Sequence, residues 1–435
     1  MTNPVPTMVA QAKHGQNFLP DLPQQILALL PLTLFFQIGV MYGGLFLFLL
    51  AWLLATRTQA AWFRQWCAIR QSPLFIPVLA LLLLSLIMSL IHPHPENEFA
   101  AAFLHYQSYL LLFPLLAIGA GAWQQRAIHY FFLGTLIAST LFYLNSLGVL
   151  PDIKFFRSYT LYEGNKSILL ALLLALGAAW MLHEWRLKRD HAVWRALAFI
   201  YVSAALILCA KSRTASLLFV ILCGILVCRN FSFRWWQMAV LGAVVVAGIA
   251  GVNYAAQMPA PVTCLAKEMH DAYHLNGAQI LVNRAICTVH QVRDFGKTKQ
   301  VSEDGMRLEI YLNTWEMIQE RPLLGHGIGN WLAAYQAKAK GEISEKMTTP
   351  HNDYLLYFFE LGLLGVLSLL VIFLTQLKVA RDMVKSEHQE RAMLLVMVTV
   401  TMMFSALFNA ILRDGVFAFA MMILLAIPLA GVKRG

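Results

Sequence analysis

The clearest indication of the fold class is residues 353–377, which read DYLLYFFELGLLGVLSLLVIFLTQL. The stretch is almost continuously apolar, and it exceeds the roughly 20 residues that a helix needs to cross about 30 Å of hydrocarbon. Apart from Asp353 at its start, its one carboxylate is Glu360. An acid inside a membrane helix is costly and usually functional, although it can also neutralise an arginine or bond a helix end. The stretch predicts a membrane span with a candidate functional carboxylate.

Similar apolar runs extend along the whole chain on both sides. The 435 residues are 59% apolar and only 13% charged, which excludes a set of ordinary soluble domains. Their lengths predict an all-α polytopic membrane protein with about twelve transmembrane helices. The first two runs are joined so tightly around Gly39 that one long tilted helix is an alternative. Besides 353–377, the runs cover residues 24–37, 39–55, 74–91, 108–122, 128–147, 167–183, 192–210, 215–228, 236–252, 392–412 and 416–432.

The charges set the orientation of these spans. The formal net charge is +10, which in a soluble chain would suggest nucleic-acid binding, but in a membrane chain the placement of the charges matters first. With the N-terminus inside, 17 of the 33 Lys and Arg residues fall in short inner loops, so both termini are predicted to be cytoplasmic. Residues 1–21 are polar, and no cleavable signal is evident. Six cations lie in short outer loops: Lys154, Arg157, Lys166, Lys211, Arg213 and Arg413.

Three domains follow from this map. Residues 1–252 hold nine spans, residues 253–352 form a helical periplasmic domain, and residues 353–435 hold three spans. In the periplasmic domain, Ser302 is a good N-cap for a helix that ends near Glu320, before Pro322. An earlier helix covers residues 278–295, but the polar run 291–303 favours an early end to it.

The periplasmic domain also contains two of the six cysteines, Cys264 and Cys287. In an oxidising compartment they could form a disulfide bond, and two unpaired buried thiols are the alternative.

Three outer segments carry candidate functional residues. The first is the tight turn Lys211-Ser212-Arg213-Thr214, and the alternative to a functional role is that its cations only anchor the chain to lipid headgroups. The second is Arg307 with Tyr311 four residues later, and its alternative is a solvated helix face that pairs with Glu303. The third is His351-Asn352, at the start of the span that contains Glu360, although a lone histidine there is more often interfacial. Cations and polar groups at an outer membrane face are costly without a function.

Two other motifs predict structure rather than chemistry. Gly325-His326-Gly327-Ile328-Gly329-Asn330 has the glycines of a phosphate loop, but it follows a helix and lacks the βαβ context, so a turn is predicted. His92 and His94 are separated by proline and have no third ligand nearby, which also favours a turn. No metal site is predicted.

Several of these segments resemble the O-antigen ligase and polymerase superfamily. The resemblance spans about residues 200–370, and the layout of twelve spans with one large outer loop extends it to the whole chain. The matching residues are Arg213 in Ser212-Arg213-Thr214, Arg307, the block from Trp315 to Trp331, His351-Asn352-x-x-Leu355 and Glu360-x-Gly362-x-x-Gly365.

The resemblance implies a metal-independent GT-C glycosyltransferase of the bacterial inner membrane, with no cofactor and an active site on the periplasmic face. An O-antigen ligase moves a completed polysaccharide from undecaprenyl diphosphate to a sugar hydroxyl of lipid A-core, which completes lipopolysaccharide. The implied partners are undecaprenyl diphosphate-linked O-antigen, lipid A-core oligosaccharide and membrane lipids, and no nucleic acid.

His351 matches the family histidine, which makes it the expected base that deprotonates the acceptor for inverting attack at the anomeric carbon. Asn352 and Tyr311 are expected to support it. Glu360 is expected to orient the site or balance an arginine. About two and a half helical turns separate Glu360 from His351, so direct contact is not expected.

Arg213 and Arg307 match the family arginines. They are expected to bind the diphosphate and to stabilise its growing negative charge, a task that Mg²⁺ performs in many transferases. Lys211 is expected to join them, and Arg157 and Lys166 extend the same basic patch.

Three alternatives stay open. An O-antigen polymerase would use a lipid-linked glycan as the acceptor as well as the donor. A protein O-oligosaccharyltransferase usually carries a C-terminal extension, whereas this chain ends at Gly435, shortly after its last span. A transporter of lipid-linked glycans would place its cations near the bilayer midplane, whereas Arg213, Arg307 and His351 map to the outer face.

Overall fold

The computed structural model is all-helical, without a strand, over the residues that it describes, which are 18–93, 99–151, 164–187, 190–210, 212–230, 250–251, 253–259, 277–298, 302–385 and 389–434. The helices in these ranges are α1 Phe18–Thr33, α2 Ile38–Ala55, α3 Gln59–Gln71, α4 Phe75–Ile91, α5 Phe99–Tyr106, α6 Leu112–Ala117, α7 Trp123–Ser146, α8 Gly164–Leu187, α9 Ala192–Ala204, α10 Arg213–Asn230, α11 Gly277–Thr298, α12 Glu303–Glu320, α13 Trp331–Lys338, α14 Asp353–Lys385, α15 Gln389–Phe408 and α16 Gly415–Leu429. A 3₁₀ turn, Ser108–Leu111, precedes α6, and a π turn, Ala205–Cys209, follows α9.

Six of the described helices are long and apolar enough to cross a membrane, or eight if each of two bent helix pairs counts as one span. All but one of the predicted runs lie on helices of the structure. The exception is the run 236–252, which lies almost wholly outside the described residues. The first two runs form separate helices, α1 and α2, so the single-helix alternative is wrong. The total of twelve spans and the GT-C classification remain predictions, as do the domain boundaries.

The core of the bundle is built from helices that are apolar on every side. Residues 169–180 of α8 are buried around its whole circumference, and residues 420–429 of α16 are buried in the same way. A helix that is hydrophobic all round belongs inside a bundle, because it has no polar face for solvent or headgroups. These two helices therefore form the centre against which the amphipathic helices pack.

An additional helix, α3, lies between the predicted spans 39–55 and 74–91, where the sequence predicts a loop. It meets α4 at an angle of 87°, across a break of three residues. Thr58 caps it by accepting a hydrogen bond from the backbone N–H of Ala61 at 3.2 Å. The sequence does not predict this helix, because its 13 residues are too few and too polar to form a continuous apolar run.

Helices α10 and α12 hold the two candidate active-site arginines, Arg213 and Arg307, and α11 packs against both helices. Ser302 caps α12 by accepting from the backbone N–H of Gly305 at 3.1 Å, and α12 ends at Glu320, so this helix is confirmed. The early end expected for α11 is wrong, because the helix continues to Thr298. Its polar half is held by tertiary bonds, among them one from Arg293 Nη1 to the Ala256 carbonyl oxygen at 2.7 Å.

Candidate active site

Arg213 is the first residue of α10, and its guanidinium reaches across to α12. Nη1 and Nη2 donate to Oδ2 and Oδ1 of Asp304 at 2.7 and 3.2 Å. Nη1 also donates to the Thr288 hydroxyl and to the Arg284 carbonyl oxygen, both on α11. Asp304 therefore occupies the end-on edge of the guanidinium. Nε, on the side-on edge, donates no hydrogen bond to any residue that the structure describes.

Asp304 lies in the first turn of α12 and is ionised. Its burial alone would raise the pKa of the carboxyl, but the charges of Arg213 and Arg307 and the hydrogen bonds from Arg213 and Thr288 lower it overall. The position at a helix N-terminus favours the same charged form. Nothing local in the sequence indicates that Arg213, 91 positions earlier, reaches this acid.

A second arginine, Arg284, completes this ion cluster. Its Nη2 donates to Oε2 of Glu303 at 3.0 Å, and Oε2 of the same acid lies 3.8 Å from Arg213 Nη2. Glu303 was the alternative partner for Arg307, and that alternative is wrong because Glu303 pairs with the other two arginines. The cluster ties α10, α11 and α12 together with its charges balanced.

Arg307 lies one turn beyond Asp304 on α12 and is half-buried. Within the described part of the chain its guanidinium forms no ion pair, yet its charge acts on both Asp304 and His351. Four residues further on, the hydroxyl of Tyr311 lies 3.1 Å from the carbonyl oxygens of both His351 and Leu407. Arg307 therefore stands between the ion cluster and His351, and Tyr311 contacts the backbone of His351.

His351 has φ +49°, in the left-handed region that residues other than glycine seldom adopt. Such strain persists only where the surroundings hold it, and it is common at functional sites. Here the Tyr311 contact fixes the His351 carbonyl. Asn352 fixes the next position, since its Nδ2 donates to the Leu407 carbonyl oxygen at 3.2 Å and its Oδ1 accepts from Leu355 N at 3.0 Å.

The pKa of His351 is lowered to about 4, first by burial and then by the positive charges of Arg307 and Arg413. The imidazole is therefore neutral at pH 7 and has a free lone pair to accept a proton. As a base it is weaker than an ordinary histidine as long as no anion neutralises the two guanidinium charges near it.

A cavity of 390 Å³ opens at His351. Four further titratable or cationic side chains line it that were not assigned to the site from sequence, namely Arg413, His105, Lys346 and the acid Asp414. Arg413 also borders the space beside Glu360, and it has no ion-pair partner among the described residues. Its signal in the sequence was its place among the six cations of the short outer loops. His105 and Lys346 had no such signal. His105 is far from His351 in the chain, and Lys346 lies in an irregular segment.

Glu360 is buried, with 3% of its surface exposed, and holds two other parts of the chain. Oε2 accepts from the Tyr106 hydroxyl at 2.6 Å, and Oε1 accepts from the backbone N–H of Gly329 at 3.0 Å. No hydrogen bond joins it to His351, in agreement with the expected separation. Glu360 therefore positions α5 and the 322–329 segment around the site.

The glycine-rich segment is a turn, as predicted, and it clamps onto a break in α14. Gly362 has φ +69°, and a Cβ there would lie 2.1 Å from the Leu323 carbonyl oxygen. Backbone bonds join the two segments, from His326 N to Phe359 O at 2.8 Å and from Gly327 N to Glu360 O at 3.0 Å. The glycines of both motifs thus permit a close approach of two backbones.

The other predicted site residues are only partly described. Lys211, Arg157 and Cys264 lie outside the described residues, as does the side chain of Lys166. Cys287 is buried and disulfide-bonded, and its pairing with Cys264 stays a prediction. No group of three or more His, Cys, Asp or Glu side chains within the described ranges could hold a metal ion.

Residues 197–370 match the family model described as O-antigen ligase. This segment belongs to the O-antigen ligase superfamily. The resemblance found in the sequence is thereby confirmed, and the apolar helices make the chain an integral membrane protein. No curated protein matches the chain.

The O-antigen ligase match covers Arg213, Arg307, His351 and Glu360. His105 and Arg413 lie outside it, on α5 and between α15 and α16. The cavity at His351 is therefore formed partly by the O-antigen ligase segment and partly by the rest of the bundle.

Proposed function

We propose that this protein is an O-antigen ligase that transfers O-antigen polysaccharide from undecaprenyl diphosphate to a sugar hydroxyl of lipid A-core. The reaction takes place on the periplasmic face of the bacterial inner membrane, with both termini in the cytoplasm. It proceeds by inverting glycosyl transfer without a metal ion. The match of residues 197–370 to the O-antigen ligase family model supports the reaction class.

The observation that carries the proposal is the cavity at His351, where a neutral imidazole and the Arg413 guanidinium share one lining and the charge of Arg307 also acts on the imidazole. Neither guanidinium has an ion-pair partner among the described residues. A base and a concentrated positive charge are what a hydroxyl nucleophile and a diphosphate leaving group require. Arginine forks also suit phosphate oxygens geometrically. We therefore add Arg413 to Arg307 as a diphosphate-binding residue.

Arg213 contributes from the edge of the same site. Asp304 and Thr288 hold one edge of its guanidinium, which leaves the edge formed by Nε and Nη2 to face a phosphate oxygen pair. Asp304 is thus a positioning residue, and Arg213 keeps its diphosphate role without having to break this pairing. Lys211, Arg157 and Lys166 extend the basic patch.

In the transfer step, Nδ1 or Nε2 of His351 takes the proton of the acceptor hydroxyl as its oxygen attacks the anomeric carbon. The bond from that carbon to the phosphate oxygen breaks, and undecaprenyl diphosphate leaves with the electron pair. Arg307 and Arg413 stabilise the charge that develops on it. A bound diphosphate also offsets their field at His351, so the pKa of the imidazole rises and the base strengthens when the donor is in place.

The test is reconstitution of the purified protein with purified donor and one acceptor at a time. Transfer to lipid A-core, seen as a gel shift and retained in excess EDTA, is the expected result. Transfer only to a second lipid-linked glycan would identify a polymerase, and transfer to a protein would identify an oligosaccharyltransferase. Movement of donor across the bilayer without transfer would identify a transporter.

A further inference from the structure

A second cavity lies at the opposite end of α14 from His351. It has a volume of 630 Å³ and is bounded by the start of α4, the last turns of α14 and the segment after α16. After the break at Gly362, residues 363–385 of α14 extend for about 35 Å, which is close to the thickness of the hydrocarbon layer, and this part of the helix separates the two cavities. The second cavity therefore takes no part in the glycosyl transfer proposed above.

The second cavity is positively charged. Lys378, Lys433 and Arg434 line it, and within the described ranges none of them forms an ion pair. Asp382 is its one acidic lining residue, and Oδ1 of that carboxylate lies 3.8 Å from each of two neighbouring basic side chains on α14. The cavity thus has an excess of positive charge that an anion would balance.

Apolar side chains continue the cavity wall alongside the cations. Ile76 and Pro77 of α4 line it together with Val379 and Val432, and Ile76 is 50% exposed. A small soluble anion would make no favourable contact with these apolar side chains. A molecule that carries an anionic head on an apolar chain matches both parts, and 630 Å³ is within the usual range for a ligand pocket.

The helix next to this cavity has the properties of one that lies along a membrane surface. α3 turns 87° away from α4, contains no acidic residue, and exposes Trp62, Phe63 and Trp66 on one face. Exposed aromatic residues on such a helix fit the headgroup boundary of a bilayer. The backbone N–H of Arg434 donates to the carbonyl oxygen of Gln71, the last residue of α3, at 2.6 Å. This bond holds the segment after α16 against the end of α3, beside the start of α4.

We propose that this cavity, formed by the α3–α4 elbow, the end of α14 and residues 432–434, binds the phosphate headgroup of an anionic glycerophospholipid. The lipid comes from the leaflet opposite the His351 cavity. Lys378, Lys433 and Arg434 bind the phosphate, and its first acyl carbons lie against Ile76 and Pro77.

The experiment is native mass spectrometry of the full-length protein in detergent, with equimolar phosphatidylglycerol and phosphatidylcholine of identical acyl chains. The wild type is expected to retain phosphatidylglycerol at least tenfold more strongly. Because each cation near a membrane surface contributes on the order of 1 kcal/mol, the triple variant Lys378→Gln, Lys433→Gln, Arg434→Gln should weaken this binding about a hundredfold. The matched control neutralises Arg57, Arg126 and Arg195, which belong to the 17 cations of the predicted inner loops and do not line the cavity.

Equal retention of the two lipids by the wild type would overturn the proposal. So would equal losses in the two triple variants, since the cations would then act only as a diffuse surface charge. Displacement of the lipid by millimolar inorganic phosphate would show that the site takes a soluble phosphate and would also overturn it. If the triple variant does not fold, Lys378→Gln should weaken binding about fivefold, with Lys378→Arg near the wild type. None of these measurements involves glycosyl transfer.

Discussion

The guanidinium of Arg213 and the carboxylate of Asp304 meet end-on through two hydrogen bonds, 2.7 and 3.2 Å long, although the residues begin two different helices. Asp304 is 14% exposed and Arg213 is 25% exposed, so the pair is shielded from full solvent screening. This contact holds a flexible arginine in one orientation, so that in the proposed function one defined edge of its guanidinium is left for the diphosphate. In the proposed function, the acid acts through the arginine and does not touch the substrate.

Replacing Asp304 with Asn should keep the side-chain shape but remove the charge that orients Arg213. Hydrogen bonds to charged groups contribute about 1.5–3 kcal/mol, so kcat/KM for the donor should fall at least about tenfold, mainly through KM. Initial transfer rates over a range of donor concentrations measure this. Glu316→Gln is the control, because its bond to Lys338 lies on an exposed part of the same helix. An Asp304→Asn enzyme with wild-type kinetics would contradict the positioning role.

Replacing Arg413 with Ala should slow transfer by about two orders of magnitude, the usual cost of losing one charge-stabilising donor. Arg413→Lys should restore part of the rate, because it keeps the charge but lacks the fork. Transfer assays at saturating donor compare these variants with Arg321→Ala, an exposed cation that does not line the cavity. If Arg413→Ala behaves like that control, the residue has no part in the reaction.

The pH profile of kcat/KM should lose activity on the acid side near pH 4, where His351 in the free enzyme becomes protonated. The direction follows from the base role, since only the neutral imidazole can accept a proton and a lowered pKa extends its neutral range downward. Arg413→Gln removes one of the causes of the shift, so its acid limb should move to higher pH. Initial rates between pH 3.5 and pH 8 would show the acid limb of each enzyme. An acid limb at the same pH in Arg413→Gln and the wild type would count against this electrostatic coupling.

Gly362→Ala should destabilise the fold, because the new Cβ would meet the Leu323 carbonyl oxygen and the backbone has φ +69°. Strain in this region costs about 1–3 kcal/mol before the clash is counted. Thermal unfolding in detergent should show a clearly lower midpoint. The control is Gly224→Ala on α10, where no atom lies within 4 Å of the added Cβ. Equal midpoints for the two variants would mean that the clamp on α14 does not stabilise the protein.

The sequence was sufficient for most of the helices because their signal is local. An apolar run such as 353–377 shows its own length, and a cap such as Ser302 lies next to the helix that it starts. The elbow at α3 was missed because a short interfacial helix lacks the continuous apolar pattern of a span.

The candidate site divides in the same way. Arg213, Arg307 and His351 could be predicted from the sequence because each lies in a recognisable motif, and their roles stay predictions. Asp304 and Arg413 could not be assigned, because their roles come from contacts between helices that are far apart in sequence. The partners of Glu360 could not be assigned either, because Tyr106 and Gly329 reach it only when α5 and the 322–329 segment pack against α14.

The most direct test of the account is reconstituted transfer to lipid A-core by the wild type and by His351→Ala, with purified undecaprenyl diphosphate-linked O-antigen as the donor. Loss of a general base typically costs 10²–10⁴ in rate, so the variant should lose at least about a hundredfold in transfer while retaining donor binding and its thermal midpoint. A folded His351→Ala enzyme that still attaches O-antigen at the wild-type rate would contradict the account.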